Sequence, residues 1–215
     1  MKKTLLTLGL LATAWSVNAA DPELAKAIIK EKCHLCHGME GESSNAIYPR
    51  LAGQNHNYLV KQLKNFRDGK RKSDTMNEMT KGLLDEEIEA LAKYFSAKPA
   101  LSHRVRDKGF SAVGEYLYKK GNKYSGIPSC KSCHGELGQG SDDLPRLAGQ
   151  HKRYVADQLH AFGERIRTND NTIMHTIANK LTELEIEALA LYVSGIKVEE
   201  PEESEAAKEP EQRQL

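Results

Sequence analysis

Cys33-His34-Leu35-Cys36-His37-Gly38 and Cys130-Lys131-Ser132-Cys133-His134-Gly135 hold all four cysteines of the 215-residue chain. Each is a Cys-x-x-Cys-His motif. Two cysteines three apart stand on neighbouring positions of one helical turn, so both sulfurs can form thioethers to the two vinyl edges of one porphyrin. The histidine that follows is then held where its imidazole reaches the iron. The pattern reads as covalent attachment of two c-type haems, one at Cys33 and Cys36, the other at Cys130 and Cys133. A structural zinc site would want its cysteine pairs roughly 15 to 20 residues apart, and Cys36 and Cys130 are much farther apart. A redox dithiol sits in a βαβ context, of which the sequence shows no sign. Two disulfides would suit an oxidising compartment, but they leave the paired histidines without a reason.

Outward from these motifs the chain repeats itself. Pro49-Arg50-Leu51-Ala52-Gly53-Gln54 returns as Pro145-Arg146-Leu147-Ala148-Gly149-Gln150. Tyr58, Gln62, Leu63 and Phe66 return as Tyr154, Gln158, Leu159 and Phe162, and Glu87-Ile88-Glu89-Ala90-Leu91-Ala92 returns as Glu185-Ile186-Glu187-Ala188-Leu189-Ala190. The order is kept and the offset is 96 to 98 throughout, which marks a tandem duplication. Each copy is all-α in pattern. Asp21-Pro22-Glu23 offers a capping Asp with Pro at the first helical position. Tyr58, Leu59, Gln62, Leu63 and Phe66 share one helical face. Amphipathic helices carry Ile88, Leu91, Ala92 and Phe95 near the end of one copy, and Ile186, Leu189, Ala190 and Val193 near the end of the other. Thr182 and Glu185 form a capping box, and a short helix is expected from Asp107 to Lys119. The expected layout is a first domain over residues 21–98, a linker over 99–106 and a second domain over 107–196.

The ends of the chain read differently. Residues 1–20 combine a basic start, an apolar run from Leu5 to about Val17 and small residues at Asn18-Ala19-Ala20, the pattern of a cleavable secretory signal peptide. Cleavage after Ala19 or after Ala20 fits. The expected destination is the periplasm, with no transmembrane segment in the mature chain and with peripheral membrane association left open. Residues 197–215 carry a net charge of −4, are rich in Glu, Pro and Ala, and read as a disordered acidic tail. The whole chain has 31 basic and 30 acidic residues, a balance that gives no hint of nucleic-acid binding.

A second axial ligand must come from elsewhere in each copy. His34, His56, His103, His151, His160 and His175 are available, each by default a surface or structural residue. Met39 lies two residues from His37, on the same side of the ring. Aligning the copies puts Met76 opposite Met174, each about forty residues after its motif histidine, and both are read as ligands. Met79 aligns with Ile177, an apolar slot, and is read as packing. His/Met ligation raises the reduction potential and leaves no vacant position on the iron. That suits an electron carrier and disfavours enzymatic peroxide chemistry.

These residues resemble cytochrome c4, a family of exported dihaem cytochromes c. The resemblance covers the chain from the mature start to about residue 196. It rests on the paired Cys-x-x-Cys-His-Gly and Pro-Arg-Leu-Ala-Gly-Gln segments, the Tyr-x-x-x-Gln-Leu-x-x-Phe helices, and Arg167-Thr168-Asn169-Asp170 before Met174. It implies two tandem class I cytochrome c domains, each wrapped around one covalent haem. The iron ligands it implies are His37 and Met76 for the first haem, and His134 and Met174 for the second. Pro49 and Pro145 would lie beside the proximal histidines, with a nearby backbone carbonyl accepting the Nδ1 proton. Arg50 and Arg146 would either face a propionate or be solvated surface charges. The implied function is soluble periplasmic electron transfer from the quinol-oxidising cytochrome complex toward a terminal oxidase. The alternative is a dihaem subunit docked to a redox enzyme such as a sulfide-oxidising flavoprotein.

Only 39% of the residues are hydrophobic and 6% aromatic, and the single tryptophan, Trp15, leaves with the signal segment. Two flat apolar haems would complete so thin an interior. The apoprotein is therefore expected to lose most of its helix, as read by far-ultraviolet circular dichroism. A well-folded apoprotein would contradict this.

Overall fold

The structure, a computed structural model, describes residues 22–197. The expected signal peptide (1–20) and acidic tail (197–215, Lys197 excepted) lie outside the described residues, as does Asp21. Among the described residues the chain is helical, and its one extended pairing is an isolated antiparallel bridge between Asn122 and Ile127.

Helix α1 (Pro22–Ile28) opens on a proline, whose missing N–H would have no helical partner there. It runs through a π-helical turn (Ile29–Cys33) into α2 (His34–His37). Helices α3 (His56–Arg67), α4 (Asp74–Thr80) and α5 (Asp85–Ser96) follow. The second half repeats the plan with α6 (Lys108–Lys120), α7 (Lys131–His134), α8 (Lys152–Gly163), α9 (Ile173–Ala178) and α10 (Glu183–Gly195). Asp107 caps α6 by accepting from the Phe110 N–H at 2.9 Å. Thr182 and Glu185 close the capping box on α10, through bonds of 3.3 and 2.9 Å.

The apolar faces meet as their spacing requires. Ile88, Leu91, Ala92 and Phe95 of α5 are buried with Ala25 and Ile28 of α1 and Leu59 of α3. In the second half Leu189 and Val193 of α10 pack with Leu117 and Tyr118 of α6. Ile186 and Ala190 pack with Ala156 of α8.

The repeated hexapeptides join the two halves. The side-chain amide of Gln54 accepts from the backbone N–H of Arg146 at 2.7 Å and donates to its carbonyl at 3.0 Å. Gln150 treats Arg50 the same way, at 2.8 and 2.9 Å. Residues 99–107 belong to no helix, yet they are tied down: the His103 N–H donates to the Ser194 carbonyl at 2.9 Å.

Helices α6 and α10 cross so closely that the Ala188 carbonyl occupies the place a β-carbon on Gly114 would take. Alanine gains about 1 kcal/mol in helix propensity over glycine. Overpacking against a backbone atom costs about 1–3 kcal/mol, and backbone cannot rotate away as a side chain can. Gly114→Ala is therefore expected to lower stability by up to about 2 kcal/mol, measured by denaturant unfolding of the holoprotein. A stabilised variant would refute the close crossing.

Candidate functional site

Each Cys-x-x-Cys-His motif sits on a single short helical turn. Cys33 ends the π-helical turn, while Cys36 and His37 lie in α2. Cys130 precedes α7, which holds Cys133 and His134. None of the four sulfurs is paired with another. Burial pushes the Cys33 and Cys130 thiols up to about 11, so each stays protonated at neutral pH, unlike a reactive dithiol. After each motif the chain must turn sharply. Gly38 and Gly135 take φ of 79° and 84°, where a side chain would be strained.

The two motif imidazoles are buried, and each faces a proline carbonyl. His37 Nδ1 donates to the Pro49 carbonyl at 2.9 Å, and His134 Nδ1 donates to the Pro145 carbonyl at 3.2 Å. A carbonyl can only accept, so Nδ1 carries the proton. Burial lowers both pKa values despite these bonds, which keeps the rings neutral. A neutral imidazole protonated at Nδ1 has its lone pair on Nε2, the form that ligates a metal.

Met76 and Met174 are half-buried on matching helices, α4 and α9. In both cases the next residue hangs the helix from the end of its long neighbour. Asn77 Nδ2 donates to the Phe66 carbonyl at 2.5 Å, and His175 Nδ1 donates to the Phe162 carbonyl at 2.9 Å. Met79 departs from its expected packing role: it is 37% exposed. Beside α9, a cavity of roughly 300 Å³ is lined by Gly126, Pro128, Thr172, Ile173, Thr176, Ile177 and Lys180.

Arg50 and Arg146 use backbone carbonyls of the opposite half. Arg50 Nη1 donates to the Gly149 carbonyl at 2.8 Å, and Arg146 Nε donates to the Gly53 carbonyl at 2.6 Å. A different pair of arginines, Arg71 and Arg167, to which the sequence reading gave no role, is buried at the junction. Arg71 and Arg167 are 7% and 8% exposed, and each stacks on the phenylalanine five residues before it, at 4.5 and 4.4 Å. Each reaches into the other half. Arg71 donates to Tyr154 at 2.9 Å and to Gln158 at 2.7 Å; Arg167 donates to Tyr58 at 3.0 Å and to Gln62 at 3.2 Å. Within its own half, Arg71 also donates to Gln62 and Arg167 to Gln158, both at 2.8 Å. Asn169 adds a further donor to Gln62 at 3.0 Å. Two neutral amide oxygens thus accept from five donors, and no carboxylate takes part in these bonds. Burial raises the Tyr58 pKa, but Arg167 and Arg71 outweigh it and pull the phenol below its ordinary value, a sign of the local positive potential. Buried charges of one sign call for anions. Unpaired thiols, a neutral imidazole with a free Nε2, buried guanidiniums bonded only to neutral groups and a buried Arg146 Nη1 without a hydrogen-bond partner all fit a covalently held haem with its two carboxylates. The sequence signal was present: Arg71 and Arg167 stand 96 residues apart, the offset of the hexapeptides.

A family model described as cytochrome c matches residues 22–97 and again 111–197. Cytochrome c4 of Pseudomonas aeruginosa is 39% identical over 196 residues, covering 89% of this chain and 96% of that protein. A thiosulfate dehydrogenase electron acceptor of Thiomonas intermedia is 35% identical over 204 residues, covering 91% of each. The crystal structure of reduced recombinant cytochrome c4 from Pseudomonas stutzeri superposes with a TM-score of 0.78 at 36% identity, over 83% of this chain and 100% of that one. With both halves matched and the motifs duplicated in register, the chain belongs to the cytochrome c family, as a dihaem electron carrier of the cytochrome c4 group.

Proposed function

We propose that the chain is a periplasmic shuttle whose two irons are each held by one imidazole and one thioether. His37 and Met76 serve the first haem, anchored at Cys33 and Cys36; His134 and Met174 serve the second, anchored at Cys130 and Cys133. The two halves run over residues 21–98 and 107–196, joined by 99–106. The observation that carries this reading is the duplicated frame: a proline carbonyl behind each imidazole, and each methionine helix hung from the matching phenylalanine carbonyl. When bound, each haem iron supplies a one-electron couple. The protein holds each imidazole neutral and oriented; Met76 and Met174 would supply the thioethers, and Arg71 and Arg167 would bind the haem carboxylates.

Iron held by both groups would favour outer-sphere electron transfer over bond-making at the metal. The donor we assign is a quinol-oxidising membrane complex and the acceptor a terminal oxidase. The likeness to a thiosulfate dehydrogenase electron acceptor favours a second reading, a carrier docked to the enzyme that reduces it. Co-purification with such an enzyme would select it.

A pyridine haemochrome assay should count two haems per chain. The oxidised protein should show the weak Fe–S(Met) band at a strength fitting two sites. Met76→Ala and Met174→Ala should each remove about half of that band by taking one lever away, while Met79→Ala should leave it intact. Loss of the band in Met79→Ala would reassign the first ligand. Removing positive charge from a buried site favours the oxidised iron. Arg71→Gln is therefore expected to lower the haem potentials by about 60 mV, the one-electron equivalent of about 1.4 kcal/mol. Redox titration reads this directly, and unchanged potentials would remove the arginines from the haem carboxylates.

A further inference from the structure

The residue after each repeated hexapeptide reaches across the junction. Asn55 Nδ2, with two hydrogens to donate, lies 3.1, 2.7 and 2.7 Å from the carbonyls of Gln139, Ser141 and Leu144, in the loop that follows the second Cys-x-x-Cys-His motif. Its counterpart, His151, donates through Nε2 to the Ser43 carbonyl at 2.8 Å, in the loop that follows the first motif. Ser43 is itself part of the proximal frame. Its N–H donates to the His37 carbonyl at 2.9 Å, and its hydroxyl, with one proton to donate, lies within 3.2 Å of the carbonyls of Cys36, Asn45 and Tyr48. The same clasp thus works in both directions, but one clasp is an amide and the other can titrate.

The tautomers follow from the partners. The Ser43 carbonyl only accepts, so His151 Nε2 carries the proton and Nδ1 of the neutral ring accepts. Nε2 of His103, in the segment joining the halves, meets that Nδ1 at 3.0 Å. His151 is 4% exposed, while His103 is half-buried. The charged side chain that acts on both rings is Arg50; the other partners are neutral, namely Ser43, Gln150 and the backbone of Ser194. Burial and Arg50 both hold the two rings below the ordinary histidine value. One proton added at Nδ1 of His103 keeps every hydrogen bond of the chain from His103 through His151 and Ser43 to His37. A second, on His151 Nδ1, would set two N–H groups against each other and open the clasp.

We propose that His103 and His151 form a protonatable positioning pair for the first haem alone, taking up a proton from solvent as that site accepts an electron and releasing it on reoxidation. The proposal rests on His37 as a ligand of that haem. Positive charge at the end of a hydrogen-bonded chain stabilises the reduced site. By reciprocity, reduction raises the pair's affinity for the proton.

The test uses the holoprotein, titrating the two haem potentials separately from about pH 8 to about pH 5. The first potential should rise as pH falls below about 6.5, where histidines titrate, while the second stays flat. His151→Asn, which copies Asn55, should keep both haems and abolish the slope; His103→Gln should also abolish it. Nitrogen NMR at neutral pH should show His151 Nδ1 unprotonated. A flat first potential, equal slopes at both haems, or a slope that survives in His151→Asn would overturn the pair's role. If that variant does not fold, the wild-type slopes, His103→Gln and the His151 tautomer still decide. A haem count below two, or a missing Fe–S(Met) contribution, would instead count against the ligand assignment. Two intact haems without the slope would refute the pair and leave that assignment standing.

Discussion

A hydrogen bond from an imidazole N–H to a proline carbonyl ties each haem motif to the rest of its half. In the first half the bond joins His37 to Pro49, in the second His134 to Pro145. The same proline begins the hexapeptide whose arginine backbone is gripped by a glutamine of the opposite half. One short segment therefore orients the imidazole and forms the junction. A net hydrogen bond is worth only about 1 kcal/mol, but stranding a buried partner costs about 1–3 kcal/mol. Neither half can shift its proximal segment without breaking bonds to the other, so the rings and the junction move together.

The junction also carries positive charge that the polypeptide does not answer. Burying an ion costs several kcal/mol even after the surroundings relax, and Arg71 and Arg167 share the same glutamine oxygens. Arginine suits the place: its planar group stacks on Phe66 or Phe162 and still presents several donors at its edge. Lysine would supply the charge without the stacking face. The crossed reach, from each arginine to the other half's tyrosine and glutamine, makes this charge common to both halves.

The repeat made much of this legible in the sequence. Apolar spacing along one helix reports which face is buried, so Ile88, Leu91, Ala92 and Phe95 were assigned inward, as were Ile186, Leu189, Ala190 and Val193, and all eight are buried. The offset set Met76 opposite Met174, and the structure puts both on short helices. Periodicity is silent about partners on other elements. Arg50 and Arg146 were expected to face a propionate or solvent; each also binds a carbonyl of the opposite half, and Arg146 Nη1 stays buried without a hydrogen-bond partner. Arg71 and Arg167 sit in loops without apolar period, and their partners across the junction lie far away in sequence. Met79 was expected to pack because its counterpart is isoleucine, yet it is 37% exposed.

Duplication also shows where the halves were free to diverge. Ser73 caps α4 by accepting from the Met76 N–H at 3.3 Å. Helix α9 is instead entered through Asn171 and Thr172 at φ of 53° and 68°, a left-handed turn that costs a β-branched residue about 1–3 kcal/mol. Asn77 hangs one methionine helix and His175 the other; Asn55 clasps one proximal loop and His151 the other. Hydrogen bonding around the ligands and burial are levers by which a protein sets a haem potential. The proximal bonds and the buried arginines are common to both halves. A difference in potential between the two sites must therefore arise chiefly from the few neighbours that differ, and those cluster in the distal loops and at the clasps across the junction.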